Sequence, residues 1–461
     1  MKAAIALLWL GSTLAAQVKL PRADTVTLPN GLRLILLPRQ EVPLVTVRLL
    51  ARGGAEADPP DQAGLGDMVG ELLQRGTAGL DAAAFAAKLD ALGAALQIAT
   101  DAQATAIQLE FLAKDAGPAM DLLHDAVAHP AFAEGEVKKA LAEAAGAVKS
   151  GKDDAGEAIR SYAAAMMFGE GHPYGRAVDE RSLGRVTREG IAAYHRRYYV
   201  GRNMIAVIAG SFDAAAMRSR VESTLGTLPA GEAHTWLASA APPAHAKARL
   251  LLVDKPDATQ TYFSIMMPGI ERGNPARAGL WLVNTLFGDR FTSMLNDALR
   301  VSSGLTYGAS SRMQLNRMPG SIAISSYTKN ETTAQAIDLA LTVLRRLREK
   351  GIDAARLASA RSYLKGTFPA QALETDAQLA AVFGDLELFG LNRGEIDDLY
   401  ARLDAVTPER ATALARQYFT EANLQFCLVG KAEEIRGAVA KYAQAMKVIS
   451  ISEPGYAVPA F

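Results

Sequence analysis

The sequence predicts an α+β protein made of two homologous α+β domains, each a sheet packed with helices, related by internal duplication. Two observations carry this. Val186-Thr187-x-Glu189, Tyr198, Asn203 and Gly210 recur as Val406-Thr407-x-Glu409, Tyr418, Asn423 and Gly430, every pair 220 residues apart. Six positions in one register mark a repeated structural unit. A Pro/Ala-rich stretch from about Gly231 to Lys247, including Pro242-Pro243, separates the halves and has the composition of a join. The expected division is a first domain over 17–235, a linker over 236–247 and a second domain over 248–461.

The elements follow in order. Thr25 to Leu28, the turn Pro29-Asn30-Gly31 and Leu32 to Leu37 read as strand, tight turn, strand. Val45 to Ala51 is a third strand. Gly64 to Gln74 and Leu80 to Leu92 are helices, Gly93 ends the second, and Leu96 to Leu112 supplies strands. Helices are expected over Lys114 to His129, Glu134 to Lys149, Ala155 to Phe168, Arg181 to Leu183 and Arg188 to Tyr198, then a strand over Met204 to Ile208. The second half begins alike, with strands over Ala248 to Val253 and Thr261 to Met267. Its helix Ala276 to Phe287 stands where Gly64 to Gln74 stands in the first half, and carries no His, Asp or Glu.

Composition narrows the function. The chain has 461 residues, 49% hydrophobic and 21% charged, which suits a folded protein of two or more domains. Lys and Arg balance Asp and Glu at 49 each, so net charge offers no argument for nucleic acid or an anionic membrane. The single cysteine, Cys427, excludes an intramolecular disulfide framework and a cysteine-rich zinc site, and its apolar surroundings predict a buried small side chain. Met1-Lys2, the apolar run Ala3 to Leu10 and the small residues Gly11 to Ala16 predict a secretory signal peptide over 1–16, hence a periplasmic or secreted protein. No later run is long and apolar enough to span a bilayer.

One stretch has the frame of a metal-binding helix with its ligands replaced. It reads Gly64-Leu65-Gly66-Asp67-Met68-Val69-Gly70-Glu71-Leu72-Leu73-Gln74-Arg75-Gly76-Thr77. It resembles the active-site helix of the insulinase-type zinc peptidases, which include the mitochondrial processing peptidases: Gly-Leu-x-His-x-x-Glu-His-x-x-x-x-Gly-Thr. There two His one turn apart share a Zn²⁺ and the Glu is the general base. Gly64, Leu65, Gly76 and Thr77 keep the frame, but Asp67 and Glu71 replace the His pair and Gly70 replaces the base. The third ligand of active relatives, a Glu on a later helix, would fall near Gly146-Ala147, and Glu143 lies one turn away. Asp67 and Glu71 lie on one helical face, open either to a weakly held Ca²⁺ or Mg²⁺ or to solvation and pairing with Arg75.

Gly171-His172-Pro173-Tyr174-Gly175-Arg176 and the motif Leu299-Arg300-Val301-Ser302-Ser303-Gly304-Leu305-Thr306-Tyr307 are similar to the same family. Phe287-Gly288-Asp289-Arg290-Phe291 departs from the glycine-rich loop that some subunits carry there. The resemblance implies two domains facing each other across a cavity, forming half of a clam-like chamber. In bacterial members of this kind one subunit carries the zinc helix, and the other lends an Arg and a Tyr. By resemblance, Arg300 would position a peptide substrate and Tyr307 would stabilise the oxyanion at the zinc site of a paralogous partner subunit, with no cofactor in this chain. The residues alone also allow a surface ion pair for Arg300 and a core or strand-edge ring for Tyr307. The rival reading is a scaffold or peptide-binding paralogue; a self-sufficient hydrolase would need another metal site.

The six histidines do not rebuild a ligand set. His124 and His129 are expected on different sides of a helix, His172 in a structural turn, His195 solvated on a basic helix, and His234 and His245 at or near the linker. No nucleophile elbow or phosphate loop is evident. Asn330-Glu331-Thr332 matches a glycosylation acceptor pattern.

Overall fold

A computed structural model describes residues 18–238 and 245–461; the expected signal peptide over 1–16 and part of the expected linker lie outside the described residues. The strands are β1 (Asp24–Thr27), β2 (Arg33–Pro38), β3 (Leu44–Arg52), β4 (Ala95–Thr100), β5 (Ala104–Leu112) and β6 (Met204–Gly210) in the first half. The second half has β7 (Arg249–Asp254), β8 (Gln260–Pro268), β9 (Ala309–Met313), β10 (Ser321–Lys329), β11 (Gln425–Gly430) and β12 (Ala445–Ser450). They form two six-stranded mixed sheets, ordered β1-β2-β6-β3-β5-β4 and β12-β7-β11-β8-β10-β9. Five strands of each sheet correspond in order. The sixth comes from opposite ends of the chain: β1 pairs antiparallel with β2, whereas β12 pairs parallel with β7.

The repeated Val-Thr-x-Glu is a helix start. The helices α4 (Arg188–Tyr198) and α7 (Pro408–Tyr418) both begin after a capping Thr: Thr187 accepts from the Gly190 N–H, Thr407 from the Arg410 N–H. The threonine oxygen satisfies a donor that the first helical turn leaves free, and the Glu beside it suits the positive helix end. The repeated asparagines do different work. The Asn203 amide donates to the Arg52 and Tyr198 carbonyls, whereas Asn423 adopts a left-handed φ of 54°.

The central strands of both sheets are buried on both faces. One face of the first sheet packs on α1 (Leu65–Leu72) and α4, and one face of the second on α5 (Arg277–Asn284) and α7. The other faces are covered by exchange. Helix α3 (Ala155–Phe168) leaves the first half and packs Tyr162 and Met166 on Leu251, Val253, Cys427 and Val429 of the second sheet. Helix α6 (Asp376–Leu388) returns from the second half and packs Leu379, Phe383 and Leu386 on Ile35, Leu37, Leu50 and Val207 of the first. Strands buried on both sides read as continuous apolar runs, which is why β6 and β11 do not alternate.

The helix expected over Ala276 to Phe287 ends at Asn284 and continues as a wider π-type turn over Thr285–Asp289. Among the described residues no helix is long and apolar enough to cross a membrane.

Reciprocal cover predicts mutual dependence. Phe383→Ala should lower global stability by about 3 kcal/mol in denaturant titrations, as loss of a buried aromatic side chain does. The fragment 18–238 expressed alone should bind an apolar dye through the bare face of the first sheet, and addition of 245–461 should suppress that binding.

Candidate functional site

The kept positions of the degenerate helix are structural. Gly64 has φ 95°, and the Asp58 carboxylate accepts from the Gly64 and Gly66 N–H groups, both at 2.8 Å, capping α1. Leu65 is buried. Gly76 has φ 106°, and buried Thr77 pairs by its backbone with Leu80 and Pro130. The frame therefore starts and ends the helix whether or not a metal is held. Burial pushes the Asp58 carboxyl up to about 6; its two backbone donors and Arg176 oppose this, and Asp67 adds to it.

Asp67 and Glu71 do share the outer face, as the spacing predicts. Glu71 Oε1 accepts from Arg75 Nε at 2.9 Å and Nη2 at 2.7 Å. The same guanidinium reaches Glu143 Oε2 at 2.6 Å and Glu136 at 3.6 Å, both on α2 (Glu134–Gly151). Glu143, one turn away from the expected ligand position, thus joins the site after all, because an arginine bridges the gap. Asp67 opens at the rim of a cavity of about 520 Å³ lined by Ala147, Arg160, Arg176 and Tyr456. Partial desolvation, then the neighbouring Glu71 charge, hold its carboxyl above the usual range.

These residues do not fit zinc. Glu71 is engaged by a permanent cation, and no imidazole stands at either place. Gly70 faces a wall: a Cβ there would lie 3.1 Å from Ile98 Cγ2 and 3.2 Å from Thr105 Cγ2. Among the described residues no three His, Cys, Asp or Glu side chains are gathered as a metal set.

The histidines have structural roles. His124 and His129, expected apart, meet edge to face with ring centroids 5.5 Å apart, because His129 lies past the helix end and its ring turns back. His195, expected to be solvated, bonds the Val127 carbonyl at 2.8 Å and packs on Phe132 and Tyr199. His172 Nδ1 accepts from the Tyr174 N–H within its turn. Asn330 is buried, donating to the Ala258 carbonyl and Glu434 and accepting from Thr261, so its amide is not presented as a glycosylation acceptor. Cys427 is a buried free thiol, as expected.

Arg300 and Tyr307 come together. Arg300 follows buried Leu299 in the turn Asp297–Ser302, and Gly304 at φ 65° reverses the chain. Thr306 Oγ1 donates to the Gly308 carbonyl and accepts its N–H, fixing the backbone on both sides of Tyr307. The Arg300 Cζ lies 4.5 Å from the centroid of the Tyr307 ring and 4.7 Å from that of Phe291. Among the described residues no carboxylate lies within ion-pairing distance of Arg300. Tyr307 is 74% exposed, so neither a surface ion pair nor a core ring describes the two. Among the described residues, a guanidinium without an ion-pair partner and an exposed phenol share one turn.

Three groupings were not read from sequence. Asp58 caps α1 from six residues ahead of Gly64; an Asp just before a predicted helix start was the available signal. Buried Glu56 accepts from Arg317 at 3.2 Å and from the Leu237 N–H at 2.8 Å, tying the two halves. Lys152 donates to the Glu453 and Gly455 carbonyls. The last two join residues far apart in sequence and have no local signal.

The profile described as Insulinase (Peptidase family M16) matches residues 34–170, and that described as Peptidase M16 inactive domain matches 185–364. The chain belongs to peptidase family M16. Among its relatives is an uncharacterized zinc protease, YmxG of Bacillus subtilis (strain 168), 23% identical over 86% of this chain and 95% of that protein. Another is a non-peptidase homolog, YmxG of Helicobacter pylori, 21% identical over 71% of this chain and 76% of its own length. A solved Pseudomonas fluorescens peptidase M16 inactive domain superposes with a TM-score of 0.83 at 21% identity, covering 89% of this chain and 98% of its own. The inactive-domain match, the non-peptidase relative and the replaced ligands of α1 fit a non-catalytic M16 member.

Two outcomes follow for α1. Because Asp58 holds its proton more tightly when folded, stability should fall as pH rises from about 4 to 6. Relative to Asp58→Asn, wild-type stability should decline by up to about 3 kcal/mol between pH 4 and 7 in urea titrations. Gly70→Glu should fail to create peptidase activity and should cost about 1–3 kcal/mol, because the side chain must displace Ile98 and Thr105.

Proposed function

We propose that the protein is the non-catalytic subunit of an exported M16 zinc peptidase, pairing with a zinc-bearing paralogue and lending it Arg300 and Tyr307. The observation that carries this is the half-buried Arg300, without an ion-pair partner among the described residues, held beside the exposed Tyr307 on a braced turn. In peptide hydrolysis, negative charge builds on the scissile carbonyl oxygen. A preorganised phenol aimed there stabilises the transition state, and Arg300 holds a backbone carbonyl or carboxylate of the peptide. Zn²⁺ belongs to the partner, and the leader over 1–16 directs export to the periplasm or beyond.

A second reading, a peptide-binding paralogue without a part in catalysis, is favoured by a cavity of about 830 Å³ between α3 and the second sheet. Ser264, Ser310, Ser325, Tyr327 and Arg312 line it, a polar wall able to bind peptide without chemistry.

Mixing the chain with the zinc-bearing paralogue of the same organism and following hydrolysis of a peptide library separates the two. Activity should appear only in the mixture. Tyr307→Phe should reduce kcat about 100-fold, the scale for one lost oxyanion donor, with assembly intact by sedimentation. Full activity in Arg300→Ala and Tyr307→Phe mixtures would leave the binding role standing alone.

A further inference from the structure

The three most exposed large apolar side chains among the described residues gather at one place. Tyr307 at 74%, Val301 at 66% and Phe291 at 64% exposure surround or adjoin Arg300. A phenylalanine so exposed contributes little to a core, and leaving its ring in water is unfavourable. The Arg300 guanidinium lies over it, 4.7 Å from the ring centroid.

Phe291 is held through its own carbonyl and through the side chain of its neighbour Arg290. Arg290 Nη1 donates to Ser359 Oγ at 3.0 Å. Buried Asn296 donates from Nδ2 to the Phe291 carbonyl at 2.7 Å. The Asn296 Oδ1 accepts from the Ala309 N–H at 3.4 Å, two residues beyond Tyr307. One buried amide thus ties the segment carrying Phe291 to the segment carrying Tyr307, while Arg300 projects from the turn between them. Both rings meet the guanidinium through their faces, where the aromatic quadrupole attracts a cation.

We propose that Phe291 is a positioning residue that, with Tyr307, holds the Arg300 guanidinium in one direction before any substrate or partner arrives. A long flexible side chain without an ion-pair partner would otherwise sample many rotamers, and ordering it would count against binding. Two ring faces restrict it while leaving its N–H donors free for an incoming carbonyl or carboxylate. Phe291 touches neither; it acts through Arg300. What Arg300 is held for rests on the subunit reading above, whereas the positioning itself is a property of this chain alone.

The test uses the full mature chain labelled with ¹⁵N-arginine, with the Arg300 Nε–Hε resonance assigned by its disappearance in Arg300→Lys. In the wild type the Hε signal should lie upfield of an exposed arginine's through ring currents. Phe291→Ala should move it toward the exposed position, Phe291→Tyr should restore it, and Tyr307→Phe, which keeps its ring, should leave it shifted. In the mixture with the zinc-bearing paralogue, Phe291→Ala should lower kcat/KM about two- to fivefold, the scale of one exposed cation–π contact. An Arg300 resonance indifferent to Phe291→Ala overturns the proposal, as does weakened assembly with that resonance unmoved, which would make Phe291 a docking residue. A shifted resonance alongside a mixture without peptidase activity would uphold the positioning and sink the catalytic assignment.

Discussion

Each sheet of this protein is closed by a helix that belongs to the other half. Without α3 the second sheet would expose Leu251, Val253, Cys427 and Val429, and without α6 the first would expose Leu37, Leu50 and Val207. The rest of the structure depends on this exchange. It buries β6 and β11 on both faces, and it sets the cavity between α3 and the second sheet. Glu56 and Arg317 add a buried charged contact across the same junction. Breaking one side of such a pair leaves a charge without its partner, so this contact too resists separation of the halves.

The degenerate helix shows what outlasts a metal site. Gly64, Leu65, Gly76 and Thr77 persist because the backbone and the core need them: two left-handed turns, a buried leucine and a bridged threonine. The positions facing outward had no such constraint. There an arginine spans Glu71 and Glu143, a positive group between carboxylates; on the inward side Gly70 lets α1 lie close against β4 and β5. The cation offsets part of the carboxylate charge, but imidazole, base and open coordination are all missing. At Arg300 the situation is reversed: among the described residues the cation has no carboxylate partner, its surroundings are aromatic, and the turn is held from several directions.

The duplication, the capping threonines and the replaced ligands were legible because each depends on residues a few positions apart or on a fixed spacing. The helix over Ala155 to Phe168 was found residue for residue, since Asp154 caps it and Gly169 ends it. Local pattern says nothing where a side chain leaves its own element. Helical spacing puts Glu143 one turn off the expected ligand position, and Arg75 is long enough to cross that distance. His195 looked solvated beside two arginines, yet its ring lies between Phe132 and Tyr199. Phe291 was noticed only as the end of a loop poor in glycine.

By itself the sequence determined the two-domain α+β repeat, the strands and helices of the first half with the opening ones of the second, and the loss of a zinc-peptidase ligand set, because propensity, capping and periodicity act within a few residues. Tertiary structure alone decided which sheet each crossing helix covers, that Arg75 joins Glu71 to Glu143, and that Arg300 lies against Phe291 and Tyr307. Those outcomes depend on close packing and on side-chain reach between segments distant in sequence, which no local pattern encodes.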